Sequence, residues 1–142
     1  MLTILLLKGV QKLLMNKKVV LDASAILALI QEEPGAEVIR PLLKQSMMSA
    51  VNVAETLTSL QKVEMDPEEG MEYLSILISQ IVDFDTDQAI DAARLYPHVK
   101  HKGLSLGDRA CLALGKKFQA TIYTADKIWK DIYPELDIYL IR

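Results

Sequence analysis

Residues 18–30 read KVVLDASAILALI. Lys18 to Leu21 is a short β-branched, apolar run, the composition of a strand buried on both faces. From Ala23 to Ile30 the small and aliphatic residues take up helical spacing, and Pro34-Gly35 stops the pattern. A buried strand feeds directly into a helix, with one acid, Asp22, at the joint. That arrangement is the opening unit of a parallel α/β fold.

The rest of the chain repeats the unit. Glu37 to Gln45 predicts a helix, Met47 to Ala50 a short buried strand, and Asn52 to Glu64 a further helix. Pro67 suits the first turn of a helix reaching Ser79. Ile81 to Phe84 predicts a strand, and Thr86 to Tyr96 and Ser105 to Lys117 predict helices. Thr121 to Thr124 predicts a strand, a short helix follows to Asp131, and Asp137 to Ile141 closes as a strand. The expected fold class is therefore α/β, a three-layer α/β/α sandwich around a mostly parallel sheet. Such sheets bind ligands beyond the carboxyl ends of their strands, where the strand order reverses.

A chain of 142 residues, 51% hydrophobic and 25% charged, has the balance of one folded domain. The one cysteine, Cys111, excludes an internal disulfide, sits in an apolar run and fits a reducing cytoplasm. No Cys/His cluster suggests zinc. The net charge of -3 argues against a module that holds nucleic acid by a basic face. It argues less against a metal nuclease, because two Mg²⁺ ions would carry -3 to +1 and put the positive charge where phosphate sits.

The first fifteen residues, MLTILLLKGVQKLLM, are apolar but broken by Lys8 and Lys12. The run is far short of the roughly 20 residues a membrane span takes. It also lacks the charge-first order and small-residue cleavage site of a signal peptide. Residues 1–14 are expected to be a start-site artefact or short amphipathic extension, with Met15 the native start and residues 15–142 the domain.

Four acids stand out, each with a plainer reading as a helix-start residue. Asp22 follows the first strand and Asp126 follows Thr121 to Thr124, so both lie at carboxyl ends, where Asp or Ser also caps helices. Asp108, in SLGDRACLALG, completes a capping-box pattern with Ser105. Glu55, in Asn52-Val53-Ala54-Glu55, offers another such pattern and falls opposite the apolar stripe of Val53, Leu57 and Leu60. Gathered at one end of a sheet, four carboxylates repel and need a cation to stay ionised. Oxygen ligands without His or Cys favour Mg²⁺, with Mn²⁺ as the alternative.

The order and local sequences of these motifs resemble the PIN-domain nucleases, and more narrowly the toxin subunit of VapBC toxin–antitoxin modules. The likeness runs from Lys18 to Arg142. It is carried by VVLDASAIL at Asp22, Asn52-Val53-Ala54-Glu55 at Glu55, and Leu106-Gly107-Asp108 with Ala110 to Ala113 at Asp108. Thr124-Ala125-Asp126-Lys127 with Trp129 completes it at Asp126. The resemblance implies a Mg²⁺-dependent endoribonuclease hydrolysing RNA, a homodimer, and a cognate antitoxin as partner. Asp22 and Asp108 are its expected direct ligands, with Glu55 and Asp126 completing the shell and Thr124 supporting a neighbouring carboxylate or water.

Three alternatives stand beside that reading. One is a PIN-like nuclease of RNA processing with no antitoxin. Another is a PIN-like domain kept only for binding, which the presence of all four acids opposes. The third is a phosphoacceptor regulatory domain, which would want a second acid beside Asp22. Lys100-His101-Lys102 and Lys116-Lys117 are expected to be solvated helix ends or contacts to RNA phosphates. Met47, Met48, Met65 and Met71 are expected as core filler or as an adaptable partner surface.

Overall fold

Val19, Val20 and Leu21 form β1, and all three side chains are buried. The computed structural model describes residues 3–9 and 17–142. Met15, the expected native start, lies outside the described residues. Residues 3–9 are helical with exposed side chains.

Beyond β1 the chain runs through α1 (Ala23–Ile30), then α2 (Ala36–Ile39) and a 3₁₀ turn (Arg40–Gln45), to β2 (Ser46–Ser49). It continues through α3 (Ala50–Leu60), a 3₁₀ turn (Gln61–Val63) and α4 (Pro67–Leu77) to β3 (Gln80–Val82). Then come α5 (Thr86–Val99), α6 (Leu106–Phe118) and β4 (Thr121–Thr124). A last 3₁₀ turn (Lys127–Trp129) leads to β5 (Ile138–Leu140). The five strands form one sheet in the order β3-β2-β1-β4-β5, and every pairing is parallel.

Alternation along the strands divides the core between the two faces. Val20, Met47 and Ile122 point to one side, where they pack with Leu95, Leu112 and Trp129 from α5, α6 and the last 3₁₀ turn. Val19, Leu21 and Met48 point to the other, against Ile26 of α1, Val53 of α3 and Leu74 of α4. Both faces are therefore covered by helices, as a parallel sheet requires. Each such aliphatic side chain contributes about 1.5–3 kcal/mol on burial. Met47 and Met48 lie in this core, so the partner-surface expectation is corrected for those two. Cys111 is buried, as expected.

Element boundaries shift where local chemistry decides. The helix expected over Glu37 to Gln45 is only one α turn before it tightens to 3₁₀. Pro41 explains this, since it has no N–H for an α-helical bond and its ring crowds the preceding turn. The helix expected from Asn52 begins earlier, at Ala50, because the Ser49 hydroxyl accepts from Val51 N and caps it. α5 continues through Pro97 to Val99, where the sequence expected an end at Tyr96. Val99 is fully buried, and that packing holds the last turn in place.

The sheet order places the topological reversal at β1 and β4. β2 and β3 extend to one side of β1, while β4 and β5 extend to the other. The carboxyl ends of β1 and β4 are in register, with Leu21 paired to Tyr123. The next residues out are Asp22 on one strand and Thr124 on the other.

Candidate active site

Asp22 occupies the cap position of α1 but its side chain makes no cap hydrogen bond. The helix-cap reading is thereby corrected for this acid. Its Oδ2 instead accepts from Ser24 Oγ at 2.7 Å and from Thr124 Oγ1 at 2.9 Å. Both bonds fall on one oxygen, which leaves Oδ1 for another ligand. Asp22 is 6% exposed. Burial is the main cause that lifts its pKa from 3.8 to about 6, the hydroxyls of Ser24 and Thr124 pull it down, and the charges of Asp108 and Glu55 push it further up.

Thr124, fully buried at the end of β4, ties this corner together. Its hydroxyl serves Asp22, stands 3.2 Å from Ser24 Oγ, and accepts from Asp126 N at 3.0 Å. The chain at Asp126 is thus fastened to the hydroxyl that holds Asp22. The Asp126 carboxylate itself accepts from Ile128 N at 3.0 Å and caps the following 3₁₀ turn.

Glu55 and Asp108 come from two helices that meet. Ser105 and Asp108 form the capping box that the sequence predicts, with Ser105 N donating to Asp108 Oδ2 and Asp108 N donating to Ser105 Oγ. Asn52 and Glu55 do not form one, because α3 has already begun at Ala50. Asn52 is instead wholly buried. Its amide donates to Glu55 Oε1 at 2.8 Å and to the Gly107 carbonyl at 3.0 Å. A Cβ at Gly107 would stand 2.8 Å from Glu55 Oε1, so a side chain there would push the carboxylate away. The glycine that looks misplaced at a helix start is the surface on which the Glu55 carboxylate rests.

Asp22, Glu55 and Asp108 therefore share one electrostatic neighbourhood. Cys111, buried beneath it, responds to the same three charges. Burial pushes its thiol well above the usual range, and Asp22, Asp108 and Glu55 add to the effect. Like charges repel, and Glu55, Asp108 and Asp126 each turn to a local donor. Among the described residues, no three His, Cys, Asp or Glu side chains are already gathered as a coordination group. The donor set nonetheless fits a hard divalent cation. It offers only oxygens, one carboxylate is desolvated and keeps an oxygen open, and two more raise its proton affinity.

Ser24 and Asn52 are the polar residues of this corner that the sequence left without a role in it. Ser24 was legible only as a helix cap. Asn52 passed as half of a capping box, and its true partner lies 55 residues away. Lys100, His101 and Lys102 form an exposed 3₁₀ turn, while Lys116 stands 3.8 Å from Glu135. No helix among the described residues is long and apolar enough to cross a membrane.

Comparison with known proteins agrees with this fold. The model of the PIN domain matches residues 19–134. Among solved structures, the chain is similar to a toxin–antitoxin complex from Klebsiella pneumoniae, with 17% identity over 88% of this chain and 98% of that one, at a TM-score of 0.69. It is similar to DNA-bound VapBC from Salmonella typhimurium, with 18% identity over 89% and 99% of the two chains and a TM-score of 0.67. A third is VapBC2 from Rickettsia felis bound to a fragment of promoter DNA, with 17% identity over 86% and 97% and a TM-score of 0.67. At such identities the likeness shows a shared fold. No curated relative matches the sequence.

Proposed function

Because the chain belongs to the PIN-domain family, a family of nucleases, we propose that it is a metal-dependent endoribonuclease, the toxin of a toxin–antitoxin module. The observation that carries this reading is the buried Asp22 carboxylate at the reversal of strand order, its proton affinity raised by the charges of Asp108 and Glu55 from two other elements. Buried beside two other acids, Asp22 gains from a cation more than from any neutral neighbour, and its Oδ1 is open to one.

In this reading Asp22 and Asp108 hold Mg²⁺ or Mn²⁺ directly, and Glu55 and Asp126 complete the shell. When bound, the ion polarises the scissile phosphate and lowers the pKa of the attacking water. The protein's own groups do the positioning. Ser24 and Thr124 hold the Asp22 carboxylate by one oxygen and leave the other without a hydrogen bond from either hydroxyl. The Thr124 hydroxyl also fastens the chain at Asp126, so the first and fourth acids move as one unit. Gly107 allows Glu55 to approach the first turn of α6, where Asp108 sits.

The toxin reading and its antitoxin partner are supported by similar solved structures, a toxin–antitoxin complex and two VapBC assemblies bound to DNA, and the reading carries with it a homodimer and a cytoplasmic setting. In this reading residues 15–142 are the catalytic domain.

The test is cleavage of a single-stranded RNA by purified protein, with Mg²⁺ and with EDTA, beside Asp22→Asn. Cleavage should need the ion and vanish in the variant. Cleavage that survives EDTA, or that Asp22→Asn retains, would overturn the proposal. Growth arrest on expression, relieved by the same substitution, separates a toxin from a processing nuclease.

A further inference from the structure

We infer that Asn52 is the residue that aims Glu55, acting as a clamp between α3 and α6 that sets one wall of the cation site. The inference rests on the metal-site reading above and goes beyond it, because Asn52 supplies no ligand itself.

Three observations carry it. Asn52 is fully buried in a helix, a costly place for an amide, and although its Oδ1 has no hydrogen-bond partner its Nδ2 makes two bonds. Both of its bonds come from the same nitrogen and face opposite ways, one to Glu55 Oε1 within α3 and one to the Gly107 carbonyl of α6. An uncharged amide nitrogen suits this, for it carries two hydrogens in a plane, and both partners are acceptors. An Asp of the same shape would set acceptor against acceptor. The third observation is the missing side chain at Gly107. A Cβ there would lie 2.7 Å from the Glu55 carboxyl carbon, closer than real contacts allow. Asn52 pulls the carboxylate onto α6, and Gly107 leaves the space into which it is pulled.

The fold gives this clamp a purpose beyond local order. Glu55 stands on an exposed helix face and has several rotatable bonds, so nothing else among its hydrogen bonds fixes its direction. Asp108 lies one residue past Gly107. The bond that orients Glu55 therefore also ties it to the turn bearing the next acid, and the two carboxylates keep a fixed relation. Outer partners of this kind commonly set affinity for a metal without touching it.

The experiment compares Mn²⁺ affinity, measured by electron paramagnetic resonance or titration calorimetry at pH 7, in four proteins: wild type, Asn52→Leu, Glu55→Gln and the double variant. Thermal unfolding in EDTA checks that each is folded. Asn52→Leu should weaken Mn²⁺ binding about 10- to 100-fold. In the Glu55→Gln background the same change should matter by no more than about 2-fold, since the group it aims is already gone.

Loss of equal size in both backgrounds would show a merely structural residue and overturn the inference. So would an Asn52→Leu protein that folds and binds Mn²⁺ as wild type does. Should Asn52→Leu fail to fold, Gly107→Ala reaches the same carboxylate from the other side. It should weaken Mn²⁺ binding while leaving the thermal transition in place, and undiminished affinity would count against the clamp. RNA cleavage is scored separately. Wild type that binds Mn²⁺ but cuts no RNA fails the proposed function and leaves the clamp intact, whereas wild type that binds no divalent cation removes both.

Discussion

Replacing Asp22 with Asn should make the protein more stable while destroying its proposed activity. The carboxyl has a pKa of about 6 in the folded chain against 3.8 ordinarily. At about 1.36 kcal/mol per pKa unit, the folded state carries a penalty near 3 kcal/mol when this group is ionised. The sign follows from proton counting. Below about pH 4 both folded and unfolded chains hold the proton, and there is no penalty. Between about 4 and 6 the unfolded chain gives it up while the folded chain keeps it, so stability falls as pH rises. Above about 6 the whole penalty is present. Asparagine removes the charge and keeps an oxygen for the hydroxyls of Ser24 and Thr124, but must settle its own amide hydrogens at some cost. The expected net gain at pH 7 is about 1–3 kcal/mol, or several degrees in Tm, shrinking to nothing near pH 4. Urea unfolding in EDTA at both pH values measures it. Mg²⁺ should then stabilise wild type at pH 7 and leave the variant unmoved, since an ion bound only to the native state shifts the equilibrium by mass action. An Asp22→Asn protein less stable than wild type at pH 7, or one whose difference from wild type does not change with pH, would refute the argument.

Four further outcomes follow from the structure. Thr124→Val removes the donor to Asp22 and strands Asp126 N, so it should cost about 1–3 kcal/mol in urea unfolding. Ser105→Ala breaks the capping box of α6 and should cost about 1 kcal/mol, read as a lower Tm. Gly115→Ala drives a methyl into the buried Ile122 side chain, and the resulting strain should outweigh the better helix former, for a net loss of about 1–2 kcal/mol. On α4, Leu74 is 0% exposed and Ile76 82% exposed. Leu74→Ala should therefore cost about 2–5 kcal/mol, and Ile76→Ala less than about 0.5.

The layered architecture was legible because its signals are local. β-branched and apolar runs mark Val19 to Leu21 and Thr121 to Thr124, and small aliphatic residues at helical spacing mark Ala23 to Ile30. Boundaries were harder where a single contact overrules the pattern, as Ser49 does at the start of α3 and Val99 at the end of α5. The acids could be found one by one, since Asp22, Asp108 and Asp126 sit at or near element ends and Glu55 was read as opening a helix that in fact starts at Ala50. What could not be read was the division of labour among them. Asp108 and Asp126 do cap helical turns, whereas Asp22 does not. The difference depends on Thr124, which reaches Asp22 only once β4 lies beside β1. Asn52 was hidden for the same reason, because half of its role belongs to a carbonyl in another helix.

The parallel pairing of β1 with β4 has a consequence for when this protein can act at all. The two strands are among the most widely separated segments of the chain, yet Asp22 and the hydroxyl that holds it are furnished one by each. No amino-terminal fragment that stops short of β4 contains the whole pocket, and no nick between the strands can be tolerated unless the halves remain packed. Contacts of such long range form late and slowly. A nascent chain stopped before β4 possesses the first three carboxylates but lacks the strand that would lock the foremost of them, so catalytic competence should arrive in one step, at the close of folding.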